Sequence, residues 1–301
     1  MIFIMDHKAF IKALPANTLT ALNRTDDITG LRHLALHVGL IMVLGLWIWL
    51  ALPLWGLTLP LQGIALCFLF TLEHEATHKT PFRTGWLNEG AGRMCGLLIV
   101  LPFEWFRYFH LAHHRFTNTP GYDPELLTGM KPETPLAYAI YISGLPFWIS
   151  MVRQTIGNAL GRDPGGFIPA RARRRVRVEA QFMLAFYALA GLSLFYTPAL
   201  LWLWIIPLLL GQPFLRLYLL AEHGRCAFVA NMFENTRTTY TTRLVRFLAW
   251  NMPYHVEHHT LPNVPFHKLP DLHAHLQQHL RVTANGYTAF TGDYIRHLKQ
   301  P

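Results

Sequence analysis

Long apolar runs fall along the chain in two pairs. The first pair covers about Leu34 to Leu54, "LALHVGLIMVLGLWIWLALPL", and residues 57–73. The second covers residues 178–196 and 199–220. A helix that crosses a bilayer needs about 20 such residues, so the pattern predicts four spans in two hairpins. The turns inside the pairs, "PLWGLTLP" at 53–60 and "YTP" at 196–198, carry no charge and suit the outer side. Two further apolar stretches differ. Residues 92–103 are too short to span, and residues 135–152 are broken by Gly144 and Pro146. The more polar stretch from Cys226 to Pro301 is predicted to form a cytosolic cap, and residues 1–301 one membrane-embedded domain.

Composition agrees with this reading. Hydrophobic residues make up 52% and charged residues only 14% of the 301, well under the usual quarter. The three cysteines, Cys67, Cys95 and Cys226, are far apart with no C-x-x-C pair, so neither a disulfide framework nor a thiolate zinc site is suggested. No cleaved signal peptide is read at the N-terminus. The net charge of +9 fits a membrane surface better than nucleic acid, because seven of the 26 basic residues are arginines between 153 and 177. Such a loop faces the cytoplasm and its anionic headgroups. If 135–152 is interfacial or re-entrant, that loop and every histidine-rich segment share one face. The expected fold is thus all-α, with four transmembrane helices and a histidine-rich cytosolic cap.

Histidine placement carries the chemistry. Three clusters occur: "HEATH" (His74, His78), "HLAHH" (His110, His113, His114) and "HVEHH" (His255, His258, His259). Each has the i, i+3 or i+4 spacing of one helix face. His223, in "LLAEHGRC" at the end of the fourth span, can swing in beside them. Alone, His74-Glu75-x-x-His78 reads as a zinc hydrolase with Glu75 as general base, and an intramembrane zinc protease is the remote alternative. Zinc takes about four ligands. Eight or nine imidazoles suit two metals of higher coordination, and imidazole accepts iron, copper, zinc or nickel. Glu75, Glu257, Asp123 and Asn251 are candidate partners for the outward ring nitrogens. His7, His33, His37, His267, His273, His275, His279 and His297 are read as ordinary core or surface residues.

With these motifs in place, the chain resembles the membrane fatty acid desaturase family, which carries three histidine boxes. "HHRFTNTPGYDPE" at 113–125 is similar to the second box, and "NMPYHVEHHTLPNVPFHKLPDLH" at 251–273 to the third. The resemblance covers roughly residues 35–280. It implies a non-heme diiron oxidoreductase of the inner membrane with its metal site on the cytoplasmic side. O₂ and two electrons would place a double bond in a lipid acyl chain. It implies His74, His78, His110, His113, His114, His255, His258 and His259 as ligands, with His223 as the extra one. Some members carry Asn four positions before that histidine, where this chain has Leu219. Hydroxylases, ketolases and a terminal-alkene-forming decarboxylase share the plan. No G-x-G-x-x-G loop is present, and "DPGG" at 163–166 is read as a turn. The expected electron donor is therefore a separate ferredoxin, rubredoxin or cytochrome b5.

Overall fold

The computed structural model describes residues 5–129 and 131–299. About 70% of the chain is helical. Two short helices, α1 (His7–Ala13) and α2 (Ala16–Leu22), precede α3 (Asp27–Trp49). Asp26 starts α3 by accepting from the backbone N–H of Ile28 (3.3 Å) and Thr29 (2.9 Å), the usual remedy for unpaired first-turn donors. Left-handed residues at Ala51 and Leu54 then turn the chain back. It continues as α4 (Trp55–Cys67) and, after a break at Phe68, α5 (Leu69–His78). The expected span at 57–73 thus runs on through the first histidine box.

Helices α6 (Gly85–Ile99) and α7 (Phe103–Phe116) form a tight corner, followed by α8 (Pro124–Thr128). A Cβ at Gly92 would lie 2.3 Å from the Phe103 ring, and one at Gly96 would lie 2.3 Å from the Leu101 carbonyl oxygen. Only glycine allows this approach. Buried Glu104 is held there by Arg93 and Arg107, which fixes the direction in which α7 presents its histidines.

Residues 135–152 fall in α9 (Pro135–Ile142) and α10 (Leu145–Ala159), bent by 55° at Gly144. Gly144 has φ +72°, and a Cβ there would press on Gln212. α11 (Arg173–Ser193) covers most of the expected third span. Its first turns hold Arg173, Arg174, Arg175, Arg177 and Glu179, so it is less apolar than the others. The fourth run opens with a π-helical turn, Leu201–Ile205, and continues as α12 (Ile206–His223). Among the described residues three helical stretches, Ala16–Trp49, Trp55–His78 and Leu201–His223, are long and apolar enough to cross a membrane. The bent α9–α10 pair is a fourth if it counts as one span.

α4 and α12 meet backbone to backbone. A Cβ at Gly63 would lie 1.9 Å from the Pro207 carbonyl oxygen, and one at Gly211 2.1 Å from the Gly63 carbonyl carbon. Close small-residue contacts of this kind hold helices together where lipid supplies no hydrophobic drive.

The C-terminal segment contains α13 (Met232–Asn235), α14 (Arg243–Leu248), α15 (His255–Thr260), α16 (Leu269–Leu276) and α17 (Tyr287–Arg296). It corrects the all-α expectation, since β1 (Thr238–Tyr240) and β2 (Thr283–Asn285) pair in parallel. The β-branched Thr238, Thr239 and Thr283 suit the extended conformation. The pairing ties the end of the chain back beside α15. Trp250, Phe233, Phe266, Leu269 and Leu272 of this segment are fully buried and share one core with Leu66, Leu72 and Leu215 of the bundle.

Candidate metal centre

Four elements deliver nine imidazoles to one place. α5 brings His74 and His78 from its last turn. α7 brings His110, His113 and His114, α12 ends on His223, and α15 brings His255, His258 and His259. Seven of the nine are buried, while His78 and His114 are half-buried. They sort into two groups. Ring nitrogens of His74, His78, His110, His114 and His258 lie within 4.8 Å of one another, as do those of His113, His223 and His259. His255 joins the second group, with its Nε2 3.2 Å from His223 Nε2 and 3.1 Å from His259 Nε2. The groups adjoin, since the His114 and His259 rings stack at 4.1 Å. None of His7, His33, His37, His267, His273, His275, His279 and His297 enters either group. His37, for example, is held by the Ala65 carbonyl and the Trp250 indole N–H.

Outward contacts fix the tautomers of the second group. His223 Nδ1 donates to the Asn235 carbonyl oxygen, 3.0 Å. His113 Nδ1 donates to Asp123 Oδ1, 2.9 Å. Thr117 Oγ1 donates its hydrogen to the His113 carbonyl at 2.9 Å, so it accepts from His259 Nδ1 at 3.2 Å. With the proton on Nδ1, each Nε2 carries a lone pair. Those lone pairs point inward, with His113 and His223 at 3.3 Å and His255 between His223 and His259. The first group repeats the pattern, with Nε2 pairs at 2.9 Å (His78–His110) and 3.1 Å (His114–His258). Converging lone pairs repel unless a cation lies among them. Both ring nitrogens of His74 are buried without any hydrogen-bond partner, which a native fold rarely tolerates. The donor set fits metal ions.

The electrostatics agree. Burial, with the neighbouring imidazoles adding to it, holds His110, His114, His255, His258 and His259 well below the ordinary histidine range. These rings stay neutral, as ligands must. For His113 burial again disfavours the charge, but Glu125 and Asp123 outweigh it and raise the pKa.

The profile of the family described as Fatty acid desaturase matches residues 47–291, most of the chain and all nine histidines. The chain belongs to this family. It is an oxidoreductase by that membership. Among curated desaturases, an sn-1 oleoyl-lipid 12-desaturase from Picosynechococcus sp. is 26% identical over 264 residues, 78% of this chain and 74% of that protein. The sphingolipid delta(4)-desaturase DES1 of Xenopus tropicalis is 28% identical over 210 residues, 65% and 58% of the two chains. A mouse protein named sphingolipid delta(4)-desaturase/C4-monooxygenase DES2 is 26% identical over 230 residues, 68% and 62%.

Of the four candidate partners, two face box histidines. Asp123 holds His113, and Glu75 Oε1 lies 3.6 Å from His258 Nδ1. Glu257 instead turns to His273 and Thr238, and Asn251 binds the Phe266 carbonyl. Sequence reasoning missed Glu222, whose Oε1 is 3.4 Å from His255 Nδ1, together with Thr117 and the Asn235 carbonyl. Glu222 directly precedes His223, and Thr117 lies inside the second-box motif, so both were within sight. The Asn235 contact is made by backbone and left no trace. The zinc-hydrolase reading of Glu75 fails on geometry. Its Oε2 accepts from Thr80 and from the Phe266 N–H, both at 3.0 Å. It braces the third box rather than facing an open ligand position.

Proposed function

We propose that this protein is a diiron desaturase that introduces a double bond into a lipid acyl chain. The observation that carries this is the convergence of nine imidazole lone pairs in two adjoining groups. His74, His78, His110, His114 and His258 would hold one iron, and His113, His223, His255 and His259 the other. Two irons held by neutral ligands supply a strongly electrophilic centre able to activate O₂ against an unactivated C–H bond. The balance is one –CH₂–CH₂– unit, O₂, two electrons and two protons giving –CH=CH– and two waters. The protein's own groups hold the rings in register. Asp123, Asn235 and Thr117 hold Nδ1 of His113, His223 and His259 outward, and the Glu222 and Glu75 carboxylates lie beside Nδ1 of His255 and His258, so that the Nε2 atoms of these five rings stay available.

The relatives support the substrate class, since those named above act on oleoyl-lipid or sphingolipid. The mouse relative is named for monooxygenation as well, which favours hydroxylation as a second reading on the same scaffold. Lipid profiling of a host expressing the chain beside its His113→Ala variant tests both. A new acyl double bond with about two irons per chain supports desaturation, and a new hydroxyl supports the second reading. An unchanged profile from an iron-loaded protein would refute both.

The electrons would come from a separate ferredoxin, rubredoxin or cytochrome b5-type carrier. A hollow of about 220 Å³ reaches His223, and Arg225 borders it beside Lys131 and Lys299, which pair with Glu125 and Glu133; the wider basic face of a chain with net charge +9 would steer an acidic carrier. Reduction rates indifferent to ionic strength would count against that. The arginine-rich loop supports reading the centre as lying on the cytoplasmic side of a bacterial inner membrane, with the whole chain forming one domain.

A further inference from the structure

Away from the histidine cluster, α9 and α10 frame a groove of about 1050 Å³ that none of the nine histidines lines. One face of α10 runs along it as Leu145, Ile149, Arg153 and Gly157, each one turn after the last. The face therefore changes along its length from apolar to cationic to open. Ile140 extends the apolar end, and Arg162 joins Arg153 in lining the groove. The apolar residues stand exposed, Leu145 at 59% and Ile149 at 43%, and Val152, Ile156 and Leu160 continue an uncovered apolar surface on the same helix. An apolar surface of this extent marks contact with lipid or a partner.

The charges identify the occupant. Arg153 and Arg162 are both exposed, and neither forms an ion pair among the described residues. Asp163, the carboxylate in the lining, is engaged by Arg173 at 3.7 Å and by the Gly166 N–H at 3.1 Å. Arg177 adds a further guanidinium behind the turn. A Cβ at Gly161 (φ +76°) would lie 2.0 Å from its Nη2. Between the two arginines, Gly157 opens the helix surface. A Cβ there would meet no atom within 4 Å, so the protein's own packing does not require glycine. A glycine inside a helix is less stable than alanine there, because it has more backbone freedom to lose on folding.

We propose that this groove holds one anionic glycerophospholipid of the membrane. Its phosphate lies over Gly157 between Arg153 and Arg162, and an acyl chain follows Ile149, Leu145 and Ile140. Guanidinium is the side chain best matched to phosphate oxygens. The site is separate from the metal centre, so iron content reports independently on folding.

The test is native mass spectrometry of the full-length protein in neutral detergent, with phosphatidylglycerol or phosphatidylcholine of the same acyl composition added. The wild type should retain one phosphatidylglycerol, in preference to phosphatidylcholine by roughly tenfold or more. The double variant Arg153→Gln/Arg162→Gln should lose that preference. Gly157→Leu should exclude the lipid by filling the groove, with iron content and lipid-free melting unchanged or higher. Excess inorganic phosphate should leave the lipid bound. Equal retention of the two lipids by the wild type, unchanged retention by both variants, or displacement by phosphate would each overturn the proposal.

Discussion

Asp123 serves two purposes with one carboxylate. Its Oδ1 receives His113 Nδ1 and the Glu125 N–H, both at 2.9 Å, and its Oδ2 receives the Asn118 N–H at 2.7 Å. One side chain thus orients a ring and caps α8. The link matters for metal retention, because partners of this kind are worth about 10–100-fold in affinity. Protons compete with metal for each Nε2, and burial has lowered most of the box pKa values outside the spans. The sign follows from that direction. Above about pH 6.5 the rings are neutral both in the fold and in the unfolded chain. As pH falls below that value the unfolded chain takes up protons first, so stability declines with falling pH. We expect iron, titrated against a chelator, to be released progressively below that pH in the wild type. Asp123→Asn should release it at higher pH, and coincident release curves would show that the contact does not matter. The clustering of the nine histidines was legible in the sequence because helical spacing fixes which side chains share a face. The outer contacts were legible only in part, because they depend on how distant segments fold together. Glu257 and Asn251 sit beside the third box in sequence yet turn elsewhere.

At the scale of elements, His223 reaches the cluster because α12 lies directly against α4. Gly63 and Gly211 let the two backbones approach closely there. Gly63→Leu has no room, since its first carbon would overlap the Pro207 carbonyl. It should destabilise the protein by about 3 kcal/mol or more, at the upper end of what overpacking costs, and reduce iron content as His223 is displaced. Gly39→Ala in α3 is the control, because a Cβ there meets nothing within 4 Å. It should match the wild type or gain about 0.5–1 kcal/mol. Melting in detergent compares the two, and a Gly63→Leu variant as stable as the control would refute the packing argument. The apolar runs at 57–73 and 199–220 lie within about five residues of the helical stretches Trp55–His78 and Leu201–His223. They could not show the break at Phe68, where α4 and α5 remain one apolar run in sequence. Nor could they show the β1–β2 pair, whose three-residue strands are joined across more than 40 positions.

At the scale of the whole molecule, the fold restricts the topology by parity. α5 and α12 both end at the histidine cluster, so their first turns lie at the opposite end of the bundle. α3 runs the other way, since Asp27 at its start binds Thr84, just beyond the first box. The chain leaves the cluster end at α8, where Asp123 touches His113. It reappears at the far end by Trp202, whose ring meets Trp55 at 5.3 Å. Between those points it must cross an odd number of times. Either α11 crosses and the bent α9–α10 pair does not, or the reverse. Contacts along α11 favour the first arrangement. Arg175 near its start bonds Tyr108 on α7, and Tyr187 further along bonds the Leu97 carbonyl near the far end of α6. Hydropathy alone could not reach this conclusion, because the arginines that open α11 depress its apolar character while α9–α10 passes as a bent span. A reporter fused at residue 165 should therefore read cytoplasmic, on the same side as one fused after residue 230. One inserted at Thr197 should read external. If the reporter at 165 reads external instead, α9–α10 is the crossing element and α11 lies at the outer surface, and the four-span plan with a re-entrant 135–152 falls.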